Sequence, residues 1–338
     1  MSIKVLRPGL LTTLQDLGRV GYQKYGVIVS GAMDPYSLRI ANLLVGNRED
    51  TACLEMTMQG ATLEVEQDTL MAFTGGQLTP SIGNYQIPLW RPVFVKRGSV
   101  IRFGNCASGC RTYVAVAGGF DILPVMGSQS TYLRAKIGGL DGRALQEGDV
   151  LPVSKELSDH AKYFMNLFKE KAEKSFYLPD WRVRTSVTLP NKETVIRILP
   201  GTHYDTFTEA SKERLYNDAF QISPQSDRMG YRLDGSELAR SEASEVVSEA
   251  VALGTVQVPA DGNPIILLAD RQTTGGYPRI AQVISVDIPK LAQMKPGDSI
   301  QFSEVTLEEA QQLYMERESE LKKIKKGLYV KRHEKTPS

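Results

Sequence analysis

The chain repeats itself. "IKVLRPG" (3–9) matches "IRILPG" (196–201), "LEMTMQGA" with Glu55 and Gly60 matches "SEAVALGT" with Glu249 and Gly254, and "KRGSVIRF" (96–103) matches "KPGDSIQF" (295–302). The three pairs keep one order and nearly one spacing, as two copies of a structural unit do, and so long a period means duplicated domains rather than a solenoid. A length of 338 residues, beyond the usual size of one core, agrees with that.

Within each copy, short β-branched and aliphatic runs are broken by Gly, Pro and Asn: "TLEVE", "LMAFTGG", "PVFVK" and "TYVAVAGG", then "TVIRILPG", "GTVQVPADG", "PIILLADR" and "SIQFSEV". Many short strands punctuated by turn residues predict closed or sandwiched antiparallel sheets. The expected fold is therefore mainly β, two tandem β-barrel domains with few helices. The boundaries are 1–153 for the first domain, 154–190 for a helical linker, 191–306 for the second domain and 307–338 for a C-terminal helix with a frayed basic tail. Three helices are signalled. Asp34 as N-cap, Pro35 at the first turn and Gly46 past the end bracket one. Ala161, Phe164, Met165, Phe168 and Ala172 line one face of another around 158–173, and Thr306 with Glu309 forms a capping box for the last.

Lys and Arg total 40 against 39 Asp and Glu, so no whole-molecule field gathers polyanions and nucleic acid is not expected as a partner. The first residues lack a signal-peptide core and no run of about 18 apolar residues occurs, which predicts no membrane association and a cytoplasmic protein. Cys53, Cys106 and Cys110 cannot all pair within the chain, and a reducing compartment asks none of them to.

Several chemistries are set aside by spacing. Gly104 and Gly109 stand at P-loop distance, but Cys110-Arg111 occupies the place of Lys-Ser/Thr, so "GNCASGCR" reads as a turn. His160, His203 and His333 are too scattered for a closed metal site, and no metal is expected. No dinucleotide fingerprint occurs. Lys295, in "QMKPGD", reads as a turn residue rather than a biotin attachment point.

What remains are polar loops. In "SPQSDRMGYR", Asp227 and Arg228 are either a charged pair closing a turn or part of a binding surface. In "ADRQTTGGYP", one reading is a hairpin whose Gly275-Gly276 supplies positive φ while Asp270 and Arg271 face water. The other packs Asp270, Arg271, Gln272 and Thr273 into a binding surface, with Gly275-Gly276 letting backbone amides approach an anion. Glu249 is either a ligand contact or an outward-facing strand residue.

Four long segments, "PGLLTTLQDLGRVGYQKYGVIVSGAMD", "GGFDILPVMGSQSTYLRAKIGGLDGRALQEGD", "PGTHYDTFTEASKERLYNDAFQISPQSDRMGYRLDG" and "ADRQTTGGYPRIAQVI", closely resemble the allophanate-hydrolase-subunit-2 family, from about residue 3 to about residue 306. The resemblance implies two cyclophilin-like β-barrels. It also implies the opening of 5-oxoproline (pyroglutamate) to L-glutamate with ATP as co-substrate, in a 5-oxoprolinase complex with subunits A and B. The sequence locates no ATP site. Other members of the family form the carboxyltransferase part of urea carboxylase, which moves carboxylate from carboxybiotin to urea; this chain carries no biotin carboxylase or biotin carrier segment, so biotin is not expected. A regulatory alternative follows from the second of the two partners, which resembles an inhibitor of a sporulation histidine kinase that this chain would sequester. Under the enzymatic reading the catalytic residues are Asp270, Arg271 and Glu249. Arg271 and Arg228 hold phosphate or carboxylate oxygens; Gln272, Thr273 and the Gly275 and Gly276 amides orient the amide group; Asp270 or Glu249 accepts a proton or fixes an arginine. Tyr277 and Asp227, with Gln15, Asp16 and Arg19 from the first copy, complete the substrate-binding set.

Overall fold

The computed structural model describes residues 2–185, 189–190, 193–242 and 246–333. By internal packing the chain forms two units: residues 1–18, 34–187 and 318–338 make the first, and 19–33 with 188–317 make the second. The described strands of the first unit are β1 (Ser2–Arg7), β2 (Leu11–Gln15), β3 (Cys53–Thr57), β4 (Thr62–Val65), β5 (Thr69–Gly75), β6 (Ser81–Ile82), β7 (Tyr85–Gln86), β8 (Pro92–Val95), β9 (Val100–Arg102), β10 (Arg111–Val116), β11 (Val150–Pro152) and β12 (Phe176–Tyr177). They build two six-stranded sheets, in the orders β11-β1-β4-β9-β6-β7 and β12-β8-β5-β10-β3-β2. Alternation decides which side chains meet: Val5, Leu63 and Ile101 of one sheet share a core with Leu14, Leu54, Met56, Phe73 and Val114 of the other.

The opposite face of the second sheet is polar and equally buried. Register places Thr13 beside Glu55, Glu55 beside Tyr113 and Tyr113 beside Thr74, a row across four strands, and all four residues are buried. Helix α1 (Pro35–Leu44) starts where the sequence puts it, with the Ser37 N–H donating to the capping Asp34 carboxylate. Tyr113 Oη ties that cap to the sheet, accepting from the Asp34 N–H at 2.8 Å and donating to Glu55 Oε2 at 2.6 Å.

In the second unit, β13 (Glu193–Pro200), β14 (Ala219–Ile222), β15 (Gly230–Asp234), β17 (Thr255–Gln257), β18 (Ile265–Leu267), β20 (Arg279–Val283) and β21 (Ser299–Glu304) close into a barrel, while β16 (Glu249–Ala250) and β19 (Thr274–Gly275) form a separate two-stranded ribbon. Closure is made by β21, parallel to β13 and antiparallel to β14. Inward residues Ile196, Ile198, Phe220, Leu233, Val256, Ile266, Ile280 and Phe302 fill the barrel.

The protein is thus mainly β, as its sequence indicates. The matched stretches fall on strands in both units, β1 with β13, β3 with β16 and β9 with β21, but their neighbours differ: β1 pairs with β4 and β11, whereas β13 pairs with β20 and β21. The matched glutamates also diverge, Glu55 being buried and Glu249 exposed.

Two segments depart from the boundaries drawn on sequence. The stretch read as a linker packs into the first unit: helix α2 (Asp159–Lys171) buries Ala161, Phe164 and Phe168, and β12 extends the second sheet by pairing with β8. The linker's end at 190–191 adjoins residues outside the described set. In the second unit α3 (Glu209–Asn217) and α4 (Ile288–Ala292) are short; α5 (Leu307–His333), which belongs to the first unit from residue 318 onward, runs as one helix through the basic segment expected to fray. Leu321 and Leu328 are buried, and Arg332 pairs with Asp159 in the first unit. Residues 334–338, the end of the expected tail, lie outside the described set. No helix among the described residues is long and apolar enough to cross a membrane.

Candidate functional site

Strand β18 delivers the chain into the loop singled out on sequence. Asp270, 5% exposed, does not face water. Arg228 grips it with two hydrogen bonds, Nε to Oδ2 at 2.9 Å and Nη2 to Oδ1 at 3.0 Å, and the Ser30 hydroxyl adds a third at 2.7 Å. Arg228 Nη2 also donates to the Gly31 carbonyl at 2.6 Å. Ser30 (φ 58°) and Gly31 (φ 93°) both lie in the left-handed region, and that bend presents the hydroxyl and the carbonyl together. Exposed Asp227 closes its own turn by accepting from the Met229 and Gly230 N–H groups, while Arg228 is drawn inward by Asp270.

Arg271 is different. Its partly buried guanidinium donates to the Val251 and Leu268 carbonyls at 3.4 Å, and among the described residues no carboxylate lies within 4 Å. Burial alone lowers its pKa. A cation held by carbonyl dipoles without a counter-charge favours an arriving anion. Next along the loop, Gln272 is exposed and the Thr273 carbonyl accepts from the Val251 N–H at 3.2 Å.

The glycines serve close approach, not left-handed backbone: neither Gly275 nor Gly276 has positive φ. A Cβ at Gly275 would stand 2.4 Å from Gln257 Nε2, and one at Gly276 would stand 3.1 Å from Ser248 Oγ. Gly275 lies opposite Glu249 in the ribbon. Glu249 is exposed and ion-paired to Arg279, whose N–H donates to His203 Nδ1 at 3.3 Å. Burial first, then the Arg279 charge, holds the His203 pKa below its ordinary value, so the ring is neutral near pH 7. Beyond Gly276 the loop walls a cavity of about 690 Å³ whose lining includes Tyr277, Pro278, Leu238, Arg240, Val258 and Pro259.

The remaining predicted residues are distributed over both units. Arg19, 1% exposed, belongs to the second. In the first, the Asp16 carboxylate accepts from Gly18 N, Ser128 Oγ, Gln129 N and Ser130 Oγ at 2.5–2.7 Å, and so anchors the 128–130 segment. Gln15 Nε2 donates to Thr13 Oγ1 and the Thr131 carbonyl, while its buried Oε1 has no partner among the described residues.

Residues 104–111 run directly into β10, with Arg111 buried 3.9 Å from Glu55, so the helix that a P-loop requires does not follow. Lys295 sits in a turn closed by Asp298. Among the described residues no cluster of His, Cys, Asp or Glu could hold a metal ion. Sequence reasoning missed Arg240 and His203, which come from segments distant in the chain, and the buried Glu55–Tyr113 pair, which cross-strand register creates.

A mainly β protein with a closed barrel has known counterparts. The chain belongs to the family of the carboxyltransferase domain, subdomain A and B, whose model matches residues 25–304. It is 41% identical over 308 residues to the C subunit of 5-oxoprolinase from Escherichia coli K12, covering 91% of this chain and 93% of that protein. It is 37% identical over 314 residues to the protein of the same name from Haemophilus influenzae, covering 93% and 94% respectively. Among solved structures, the Kluyveromyces lactis urea carboxylase superimposes with a TM-score of 0.85 at 31% identity, over 97% of this chain and 29% of that longer one.

Proposed function

We propose that this chain is a subunit of a 5-oxoprolinase, which opens 5-oxoproline to L-glutamate with ATP hydrolysis alongside subunits A and B. Near-full-length identity to proteins named as the C subunit of that enzyme supports the reading. The observation that carries it is Arg271, a partly buried cation without a carboxylate partner among the described residues, on a loop fixed to a barrel.

A cyclic amide resists water until its resonance is broken, and charge then develops on oxygen. Donors fixed in advance stabilise that charge without reorganising. In this reading Arg271 meets the developing charge, and Gln272, Thr273 and the Gly275 and Gly276 amides orient the amide group. Glu249, with Arg279, is the candidate for proton transfer. Asp270 acts through Arg228, holding the loop in place. ATP belongs to the complex, and no step on this chain is routed through it.

Mixing the chain with subunits A and B tests the proposal: glutamate release and ATP consumption should both depend on 5-oxoproline. Arg271→Ala should lower turnover at least 100-fold, about 3 kcal/mol of transition-state stabilisation, while the complex still assembles. Unchanged turnover would remove Arg271 from the site, and relief of kinase inhibition without glutamate release would make the chain a regulator. The likeness to urea carboxylase favours one second reading, biotin-linked carboxyl transfer. It predicts inhibition by avidin, which the first does not.

A further inference from the structure

Helix α5 lies beyond residues 25–304, the stretch that the family model matches, and its charges are sorted along its length. Residues 307–320 hold five Glu and one Arg, whereas 321–333 hold five Lys and one Arg and no acid. Acids at a helix start and bases at its end suit the macrodipole, but that effect fades within the first and last turns. Here the sorting runs through about seven turns. The helix has two sides. Leu307, Tyr314, Leu321 and Leu328, seven residues apart, share one, and Leu321 and Leu328 are buried. Gln312, Met315, Ser319, Lys322, Lys326 and Tyr329, at alternating three- and four-residue steps, share the other, and all six are exposed. Met315 and Tyr329, 66% and 60% exposed, are large apolar groups on an otherwise polar side. Glu316 flanks its acidic half and Lys323 its basic half, both exposed. Gln312 Nε2 donates to Glu316 Oε1 at 2.8 Å, which steadies that carboxylate beside the seam.

We infer that this side of α5 docks a second copy of the chain, whose own α5 lies antiparallel to it about a two-fold axis between Ser319 and Lys322. Antiparallel packing sets the acidic half of each helix on the basic half of the other, and the axis makes every contact twice. Glu316 of each copy then faces Lys323 of the other. Along the seam, Met315 lies against the aliphatic stem of Lys326 and Gln312 against Tyr329, while the small Ser319 lets the helices come close. Parallel packing would oppose like charges. A foreign protein would have to supply the same order of charges, which a second copy supplies by identity. With so few apolar groups in the seam, the contact depends on charge and therefore on salt.

Sedimentation velocity of the full chain, from micromolar to submillimolar concentration, tests this. A dimer should form at low salt and weaken at least tenfold in about 0.5 M salt, where the screening length is a few ångströms. Glu316→Lys and Lys323→Glu should each weaken it at least tenfold and leave the melting temperature nearly unchanged, because both positions are exposed. Each variant sets like charges against itself, yet a mixture of the two should dimerise, since every clash then becomes a pair. Met315→Glu should weaken the dimer through the seam without altering those pairs. A chain that stays monomeric at low salt, a dimer indifferent to the charge reversals, or two reversals that fail to rescue one another overturns the assignment. So does a monomeric chain whose reversals instead weaken assembly with subunits A and B, a result that gives this side of α5 to a different protein.

Discussion

Asp227 and Arg228 are neighbours in sequence with different roles in the fold: Asp227 closes a turn on the Met229 and Gly230 N–H groups, and Arg228 grips Asp270. Nothing local distinguishes the carboxylate that closes a turn from one that anchors a loop, because the choice depends on which backbone groups and cations arrive from elsewhere. Asp270 receives Arg228 from 42 positions away and Ser30 from 240 away, distances no sequence pattern encodes. Removing one member strands the other's charge out of water, so Asp270→Ala should cost about 3–5 kcal/mol, read as a lower midpoint in urea unfolding. Replacing both members with well-packed apolar residues should recover much of the loss. A titration offers a second residue-scale test. Burial, aided by the Arg332 charge and opposed by a hydrogen bond to the Leu44 backbone, holds His160 at about 4 instead of its ordinary 6.5. The unfolded chain therefore takes up the proton first. The contribution to stability is fully present above about pH 6.5 and is lost as pH falls toward about 4. His160→Gln should flatten the urea midpoint against pH between those limits; an equally steep profile would show that other groups set the slope.

Helix ends were legible because their chemistry is local. Asp34 caps α1 through Ser37 N, and Gly46, with φ of 77°, follows its end. The box at α5 is complete, with Glu309 N–H donating to Thr306 Oγ1 at 3.2 Å and Thr306 N–H to Glu309 Oε2 at 2.8 Å. Thr306→Ala should cost about 1 kcal/mol, seen as a small drop in melting temperature without loss of helix at 25 °C. Where α5 stops was not legible. A basic run reads as fraying until its partners are known, and here Lys325 pairs with Glu49 while Arg39 bridges Glu49 and Glu318. The ribbon holding Glu249 and Gly275 is two residues per strand, too short for any periodic signal. It nevertheless sets the spacing of Arg279, Glu249 and the loop.

Across the whole molecule, strand chemistry, turn residues and internal repetition were enough to establish a mainly β chain, since alternation and glycine placement act within a few residues. The family resemblance rested instead on four long segments of the sequence. Pairing was decided elsewhere: the order in which strands neighbour one another, the parallel closure of β21 on β13, and the burial of Glu55 beside Tyr113 all come from segments far apart in the chain. The candidate site divides the same way. Sequence marked the loop from Asp270 to Tyr277 by its composition. Tertiary structure decided which of its charges is neutralised by a partner, because an ion pair depends on where side chains end up in space and not on their order along the backbone.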